Sequence, residues 1–363
     1  MFKKDRDTFR SKLITWFSQN KRDLPWRKNP TWYKTYLSEV ILQQTTVEQG
    51  LPYFDKFIRN YPSITQLAKA DEQEILNLWA GLGYYSRARN MLKAAKLITQ
   101  NYNGIFPDKY GHAIKIPGIG PYSASAILSI SYQKPYAVVD GNVIRVISRL
   151  FAIKKDVRQT ETINGIMKKA KLLLDKNKPG IFNEAMMELG ATVCTPKVPN
   201  CGQCPVSAFC KSFSKNIVEK IPFKSAASAK HQRYQLALIL TTDSEILICR
   251  RPGKGLLAGM WEFPAYEINK SEFEADDYLP DDLQLTIQSK STTFRHIYSH
   301  IDLKYKAIVG RLIGNSIKFE KYTDQKWIGI HEMSNFAIHN AHIKLLEWYL
   351  NDIKNQNPEI SKN

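Results

Sequence analysis

The sequence predicts two unequal parts, an all-α body running to about residue 215 and a smaller α+β module after it. Three observations predict this. Apolar residues recur at helical spacing from Phe9, Leu13, Trp16 and Phe17 onward, then give way after Tyr234 to strand-like runs. Charge divides at the same place: residues 1–231 carry 36 Lys and Arg against 17 Asp and Glu, a net of +19, whereas residues 232–363 carry 16 against 17, a net of −1. Four cysteines between Cys194 and Cys210 mark the end of the first part.

A basic body with a neutral appendage is the electrostatic footprint of a polyanion-binding protein. The 363 residues allow two or three domains. No run of 18 or more apolar residues occurs, so no membrane-spanning helix is expected, and the first residues, MFKKDRDTFRSK, contain no apolar signal core. These features imply a cytoplasmic, reducing setting in which the five cysteines stay unpaired. No internal repeat or low-complexity tract is present, and NQNPEISKN reads as a frayed tail.

The first helix is predicted over residues 6–20. The loop Lys21-Arg22-Asp23-Leu24-Pro25-Trp26-Arg27 joins basic groups to an aromatic, a combination that clamps and stacks nucleic acid. In KTYLSEVILQQTTVE, residues 34–48, Leu37, Val40, Ile41 and Leu42 form an apolar face around Glu39. A carboxyl so placed has its pKa raised and holds a proton near neutral pH. Gln43, Gln44, Thr45 and Thr46 supply amides and hydroxyls suited to base edges. Helices are predicted over 51–60 and 64–80. GLGYYSRAR, Gly81 to Arg89, is a glycine turn with aromatics and arginines, suited to a strand backbone and a wedge between bases. The helix it opens ends near residue 101.

The stretch Lys115–Ser148 carries the chemistry. Pro117 ends one helical pattern, and Gly118 and Gly120 are expected at backbone angles that a Cβ would forbid. A helix from Tyr122 to Ser131 follows, so free N–H groups gather at its N-terminus and suit a phosphate without reading sequence. Tyr136–Val139 is a short apolar run ending at Asp140-Gly141-Asn142, where a helix over 143–151 begins. Asp140 or Asn142 caps it, and an aspartate there is held ionised by amide N–H groups and the helix dipole. Glu39 and Asp140 then form a pair in which one carboxyl keeps its proton and the other loses it.

Cys194, Cys201, Cys204 and Cys210 follow C-x6-C-x2-C-x5-C. Four such thiolates enclose one metal centre. A zinc ribbon normally shows two C-x2-C pairs and this pattern has one, while soft thiolates also suit an iron–sulfur cluster; spacing leaves both open. Lys197 and Lys211 flank the loop, and Cys249 reads as core.

SEVILQQTTVE, WAGLGYYSRARN, IPGIGPYSASAI, VVDGNVIRV and FNEAMMELGATVCTP, in that order, closely resemble the A/G-specific adenine DNA glycosylases, part of the helix-hairpin-helix glycosylases of the endonuclease III superfamily. The likeness covers residues 1 to about 215. It implies a helix-hairpin-helix core with a [4Fe-4S] cluster on the four cysteines, built as a cluster domain of residues 1–27 and 135–214, a six-helix domain of residues 28–134, and a linker over 215–232. It further implies that Glu39 protonates adenine and later handles water, that Asp140 stabilises an oxocarbenium-like sugar, and that Tyr122 and Asn142 support them, the two-carboxylate logic of glycosidases. Arg22, Trp26, Leu42, Glu184 and Met187 match positions of the pocket for an extruded base. Gln44 and Tyr84 match residues that fill or wedge the duplex gap, and Arg27, Thr45, Gly118 and Gly120 complete the DNA contacts expected of this part. Lyase-type relatives carry a Schiff-base lysine two residues after the second hairpin glycine. Here that residue is Tyr122, which forms no imine, so base removal without strand cleavage is implied. The implied partner is duplex DNA with adenine opposite 8-oxoguanine or guanine, met by a monomer. A thymine-mismatch or pyrimidine glycosylase and a non-catalytic iron–sulfur DNA-binding protein are the alternatives.

EKIPFKSAASAKHQ reads as a linker. Beyond it, strands are predicted over 234–241 and 245–250, forming a hairpin about Asp243-Ser244, and over 304–313 and 326–330, with a helix over 333–350. This module, residues 233–350, resembles the Nudix-like domain of the same glycosylases, with GLLAGMWEFP its clearest segment. No acidic Nudix box follows Trp261, so Mg²⁺-dependent nucleotide hydrolysis is not expected. Phe294–His300, FRHIYSH, matches the family's loop that senses 8-oxoguanine, with Ser299 and His300 as contacts and Tyr298 where the family usually has Phe. Residues 351–363 are expected to form a disordered tail.

Overall fold

The computed structural model describes residues 3–226, 229–269, 278–279, 283–298, 300–313 and 317–356. The chain folds as two compact units, Met1–Ala70 with Arg89–Ala226, and Asp71–Ala88 with Ala227–Asn363. Residues 71–88 therefore group with the β-rich unit rather than with the helices that flank them in sequence.

The helices are α1 (Lys3–Asn20), α2 (Trp32–Ile41), α3 (Val47–Asn60), α4 (Ile64–Leu67), α5 (Glu72–Trp79), α6 (Ser86–Tyr102), α7 (Tyr110–Ala113), α8 (Pro121–Tyr132), α9 (Gly141–Phe151), α10 (Thr160–Leu173), α11 (Pro179–Thr192) and α12 (Lys211–Ser214). Thr31, Thr46, Ser63, Asp71 and Asp140 cap five of them, each side chain accepting from a backbone N–H of the first turn. The single helix expected over 64–80 is instead α4 and α5. The Asp71 carboxylate accepts from Gln73 N at 2.7 Å and restarts the chain as a new helix.

In the helical unit Phe9, Leu13 and Phe17 of α1 share one buried cluster with Val143, Val146, Ile147 and Leu150 of α9 and Phe182, Met186 and Leu189 of α11. Helix α8 is buried from Ser123 to Ser129 and built of small residues, so its neighbours approach closely. A Cβ on Gly180 would lie 2.7 Å from the Ser129 carbonyl oxygen. Asn183, also buried, donates to Ser129 Oγ and to the Tyr136 carbonyl, both at 2.8 Å, and accepts from Val138 N at 3.2 Å. One amide thereby straps the run 136–139 to α8 and α11 and sets where Asp140 emerges. Each partner left buried and unsatisfied without it would cost about 1–3 kcal/mol.

Among its described residues the second unit holds an eight-stranded mixed sheet: β1 (His231–Thr241), β2 (Glu245–Arg250), β3 (Trp261–Glu262), β4 (Ala265–Ile268), β5 (Leu285–Lys290), β6 (Phe294–Ile297), β7 (Ile301–Leu312) and β8 (Asp324–Gly329). The path is β3-β2-β1-β7-β5, with β4 on β1, β6 on β7 and β8 on β2. Strands β1 and β7 pair in parallel. Ala237 and Ile239 of β1 pack with Ala341, Leu345 and Tyr349 of α13 (Asn340–Gln356), while Leu236, Leu238 and Leu240 pack with Leu247, Cys249 and Phe319. Burial of both faces explains why β1 is an unbroken apolar run rather than an alternating one.

Two expectations here need correction. The last helix begins at Asn340, not Met333: Ile330–Asn335 is a 3-10 turn, and the Ala337 carbonyl accepts from Trp261 N at 3.0 Å, which draws the intervening residues to the sheet. The same helix continues past Leu350 to Gln356. Strands β3 to β6 lie outside the sequence prediction. No described helix is long and apolar enough to cross a membrane.

Candidate active site

A cleft of about 1010 Å³ opens in the helical unit, and Glu39, Tyr122, Asp140 and Asn142 all line it. Helix α2 buries Tyr36, Leu37, Val40 and Ile41 and turns Glu39 toward the cleft. Some solvent reaches Glu39 through the cleft mouth, but protein closes round the carboxyl elsewhere. Burial pushes its pKa up to about 7; the charges of Asp140 and Glu184 act in the same direction, and a hydrogen bond with Tyr122 opposes them. Glu39 is thus an acid that still carries its proton near neutrality. Tyr122, the second residue of α8, also lies 3.8 Å from Met187 Sδ. Burial and the charges of Glu39 and Asp140 hold its phenol well above the usual range, so it stays a neutral donor.

Asp140 caps α9. Its Oδ1 accepts from Val143 N at 2.7 Å and its Oδ2 from Asn142 Nδ2 at 2.8 Å. Asn142 Oδ1 accepts from Arg145 Nη2 at 2.8 Å, and Arg145 also donates to the Gly190 carbonyl at 2.8 Å and, through Nε, to the Cys194 carbonyl at 2.7 Å. A continuous hydrogen-bonded path therefore runs from the Asp140 carboxylate to the first cysteine. Gly190 makes room for it, since a Cβ there would lie 2.5 Å from Asn142 Cβ. Gly190→Ala is expected to displace Asn142, destabilise the fold by about 1–3 kcal/mol and slow the reaction that this cleft carries out. Thermal unfolding and single-turnover rates check both effects.

On the opposite wall Arg22 grips Glu188 of α11 through Nε at 2.8 Å and Nη2 at 3.0 Å, and Arg27 bridges Glu184 and Glu188 at 3.0 Å each. Burial works to raise Glu188, but the two guanidiniums outweigh it and hold its pKa at about 2. Glu184 is pushed upward by burial against the pull of Arg27. Arg27, expected to meet DNA, is committed to these two carboxylates and to the Arg22 carbonyl. Trp26 packs edge-on against Phe54 at 5.2 Å, and Leu42 sits where a Cβ on Gly50 would come within 2.8 Å of its Cδ2.

The hairpin is a close turn in which Ile119 N donates to the Ile116 carbonyl at 3.0 Å. Gly118 has φ +76 and no room for a Cβ, which would lie 2.8 Å from Asn90 Cβ. Gly120 differs from expectation. Its φ of −91 and ψ of 180 are open to any residue, and a Cβ would meet nothing within 4 Å. What its bareness leaves is an uncapped first turn of α8 facing open space. Gln44 in the helical unit and Tyr84 in the other unit, the two residues matched to the duplex gap, both hold left-handed backbone, at φ 59 and 49, and Tyr84 is 44% exposed. Thr45 lines the cleft. His300 is exposed, and Ser299 lies outside the described residues.

Cys194, Cys201, Cys204 and Cys210 are unpaired and half-buried. Burial first, then the charges of neighbouring sulfurs, push Cys204 up to about 12 and move Cys201 and Cys210 in the same direction. Among the described residues, no three of these sulfurs lie within 4.8 Å of one another. Arg149, 2% exposed, places Nη1 3.3 Å from Cys194 Sγ and donates to the carbonyls of Thr195, Pro196 and Ile221 at 2.7, 3.1 and 2.8 Å. Neither it nor Arg145, Glu188 or Gly190 is singled out by the sequence reading.

Residues 37–171 match the family described as HhH-GPD superfamily base excision DNA repair protein, and residues 235–348 match the NUDIX domain. A solved thermostable thymine-DNA glycosylase aligns with a TM-score of 0.52 and 27% identity, covering 58% of this chain and 98% of that one. The class is therefore a helix-hairpin-helix base-excision glycosylase joined to a Nudix-like domain. Adenine DNA glycosylase of Rattus norvegicus is 32% identical across 95% of this chain and 78% of its own length, and that of Buchnera aphidicola subsp. Acyrthosiphon pisum is 31% identical across 95% and 98%. The chain belongs to the adenine DNA glycosylases, enzymes of base excision repair.

Proposed function

We propose that this chain removes adenine from duplex DNA where it faces 8-oxoguanine or guanine, cutting only the N-glycosidic bond and leaving an abasic site. The observation that carries the reading is a proton-bearing Glu39, with its pKa at about 7, sharing one cleft with the hydrogen-bonded carboxylate of Asp140. In this reading Glu39 gives its proton to a ring nitrogen of the extruded adenine while Tyr122 holds its carboxyl. The bond to C1′ breaks, and adenine leaves as a neutral base. The positive charge left on the sugar forms against Asp140, which Asn142 and the first turn of α9 hold in place. Glu39, now a carboxylate, takes a proton from the water that attacks C1′. No lysine stands at position 122 to form an imine, which supports base removal alone.

Trp26, Leu42, Met187, Glu184 and Arg22 form the walls for the flipped base in this reading. The open turn at Gly118–Gly120 holds a phosphate, Thr45 is a further DNA contact, and Gln44 and Tyr84 are the residues that fill or wedge the gap in the duplex. Arg27 acts from behind the wall by orienting Glu184 and Glu188. The loop carrying Ser299 and His300 meets the base opposite. In this reading the four half-buried cysteines would hold a [4Fe-4S] cluster, as the family resemblance implies and as four soft thiolates suit. Arg145 and Arg149 hold the start of the loop 194–210 through the Cys194 and Thr195 carbonyls, and a bound cluster would fasten the rest of it. The enzyme works as a monomer in the cytoplasm.

Duplexes holding A:8-oxoguanine, A:G or T:G, incubated with enzyme and then treated with alkali, test the reading. Breaks only at adenine, and only after alkali, are the expected result. Breaks at thymine, or strand cleavage before alkali with a borohydride-trapped adduct, would overturn it. Iron and acid-labile sulfide assays on purified protein test the cluster.

A further inference from the structure

The C-terminal unit holds a buried polar cluster that plays no part in breaking the glycosidic bond. Glu262 of β3, His339 and His342 offer atoms within 4.8 Å of one another and are 1%, 2% and 0% exposed. The carboxylate is not open to a cation. Arg251 Nη1 donates to both its oxygens at 2.7 and 2.9 Å, the Tyr322 hydroxyl donates to Oε1 at 2.8 Å, and His339 Nε2 lies 2.7 Å from Oε2. Burial works to raise its pKa, but the imidazole of His339, together with His342 and Arg251, holds it far below the usual range. Glu262 is a fixed anion, and it fixes His339 in turn.

A proton on Nε2 shared with that carboxylate leaves His339 Nδ1 as an acceptor, and the Tyr298 hydroxyl lies 3.4 Å from it. Tyr298 follows β6. Its ring packs edge-on against His296 at 4.6 Å, its N donates to the Ile301 carbonyl at 2.9 Å, and its carbonyl accepts from Lys230 Nζ at 3.3 Å. A phenylalanine at 298 could keep each of those contacts and would lose only the hydroxyl's.

We propose that the Tyr298 hydroxyl, through His339 and Glu262, anchors the end of β6, residues 294–298, in the form that reads the base opposite adenine. Tyr298 is then a positioning residue for preferring 8-oxoguanine over guanine. The inference rests on the proposed reading of the Phe294–His300 loop.

Two measurements on Tyr298→Phe test it. Amide exchange of the free, full-length protein over residues 294–303 reports the anchor without DNA, and exchange in the variant should quicken there while the rest of the sheet is unchanged. Binding to duplexes with non-cleavable 2′-fluoroadenosine opposite 8-oxoguanine or guanine reports discrimination. The ratio of the two affinities should fall about fivefold, the worth of one hydrogen bond, through weaker binding opposite 8-oxoguanine alone. An unchanged ratio overturns the proposal whatever the exchange shows, and unchanged exchange overturns the anchor. A wild-type protein that binds the two duplexes equally overturns the reading of the loop itself, a failure distinguishable from the other two because it appears before any substitution.

Discussion

Glu39→Gln should excise adenine about 10³-fold more slowly than the wild type in a single turnover, with DNA binding little changed. Glutamine keeps the shape and can still meet the Tyr122 hydroxyl, but it has no acidic proton to give. Retention of a tenth of the rate would remove Glu39 from the chemistry. The wild-type pH profile is a second check. The protonated acid is the active form, so the rate should hold at low pH and fall as pH rises through about 7, where Glu39 ionises.

The same shift has a consequence for stability. Burial raises the folded-state pKa of Glu39 from 4.5 to about 7, so between those values the folded protein binds a proton that the unfolded chain releases. The contribution is lost as pH rises through that window, and above it Glu39 is a buried charge that destabilises the fold. Glu39→Gln should therefore melt at a higher temperature than wild type at pH 8, and the difference should narrow toward pH 5. An inactive variant that is also the more stable one is the signature of a residue kept for its reaction.

The parts legible in the sequence are those whose cause is local. Asp140 can be placed because an Asp-Gly-Asn before an apolar periodic run is a helix start, and the structure has that cap. Glu39 can be singled out because it stands among the buried apolar residues of its own helix, whereas Tyr122, Asp140 and Glu184, which also move its proton affinity, come from elements far away in sequence. Gly118 is legible for the same reason. Gly120 is not, because glycine at a helix start can serve bareness as well as backbone angle, and here it serves bareness. Arg145, Glu188 and Gly190 are not legible because their meaning comes from partners 45 to 166 positions away in sequence. Periodicity says only that such residues lie on a helix. Strands β3 and β4 have two and four residues, too few to show a period, and the β5 pattern is mostly exposed, so neither signal rises above that of a loop. The grouping of residues 71–88 with the β-rich unit depends on contacts such as Asn77 Nδ2 to the Asn335 carbonyl at 2.7 Å, which no linear reading contains.

Asp140→Asn separates what that side chain does for the fold from what it does for the reaction. As a helix cap asparagine is as good as aspartate, and its remaining oxygen can accept from Val143 N as Oδ1 does now. The melting temperature should therefore change little. Two things are lost. The amide presents hydrogens to Asn142 Nδ2, which is itself a donor, so Asn142 must turn and give up its 2.8 Å bond from Arg145 or leave position 140 unpaired. The negative charge also disappears from the place where the sugar becomes positive. Preorganised charge of this kind contributes about 10²- to 10³-fold in rate, and the loss of Asn142 adds to it, so excision should slow by about 10³-fold or more. Affinity for a duplex containing the uncleaved nucleoside should stay the same or improve, because the anion no longer faces DNA phosphates. Asp140→Ser keeps a cap of similar quality without either the charge or an amide, and should be as slow as Asp140→Asn. If serine at 140 were much faster than asparagine, the misplaced Asn142 rather than the missing charge would be the cause.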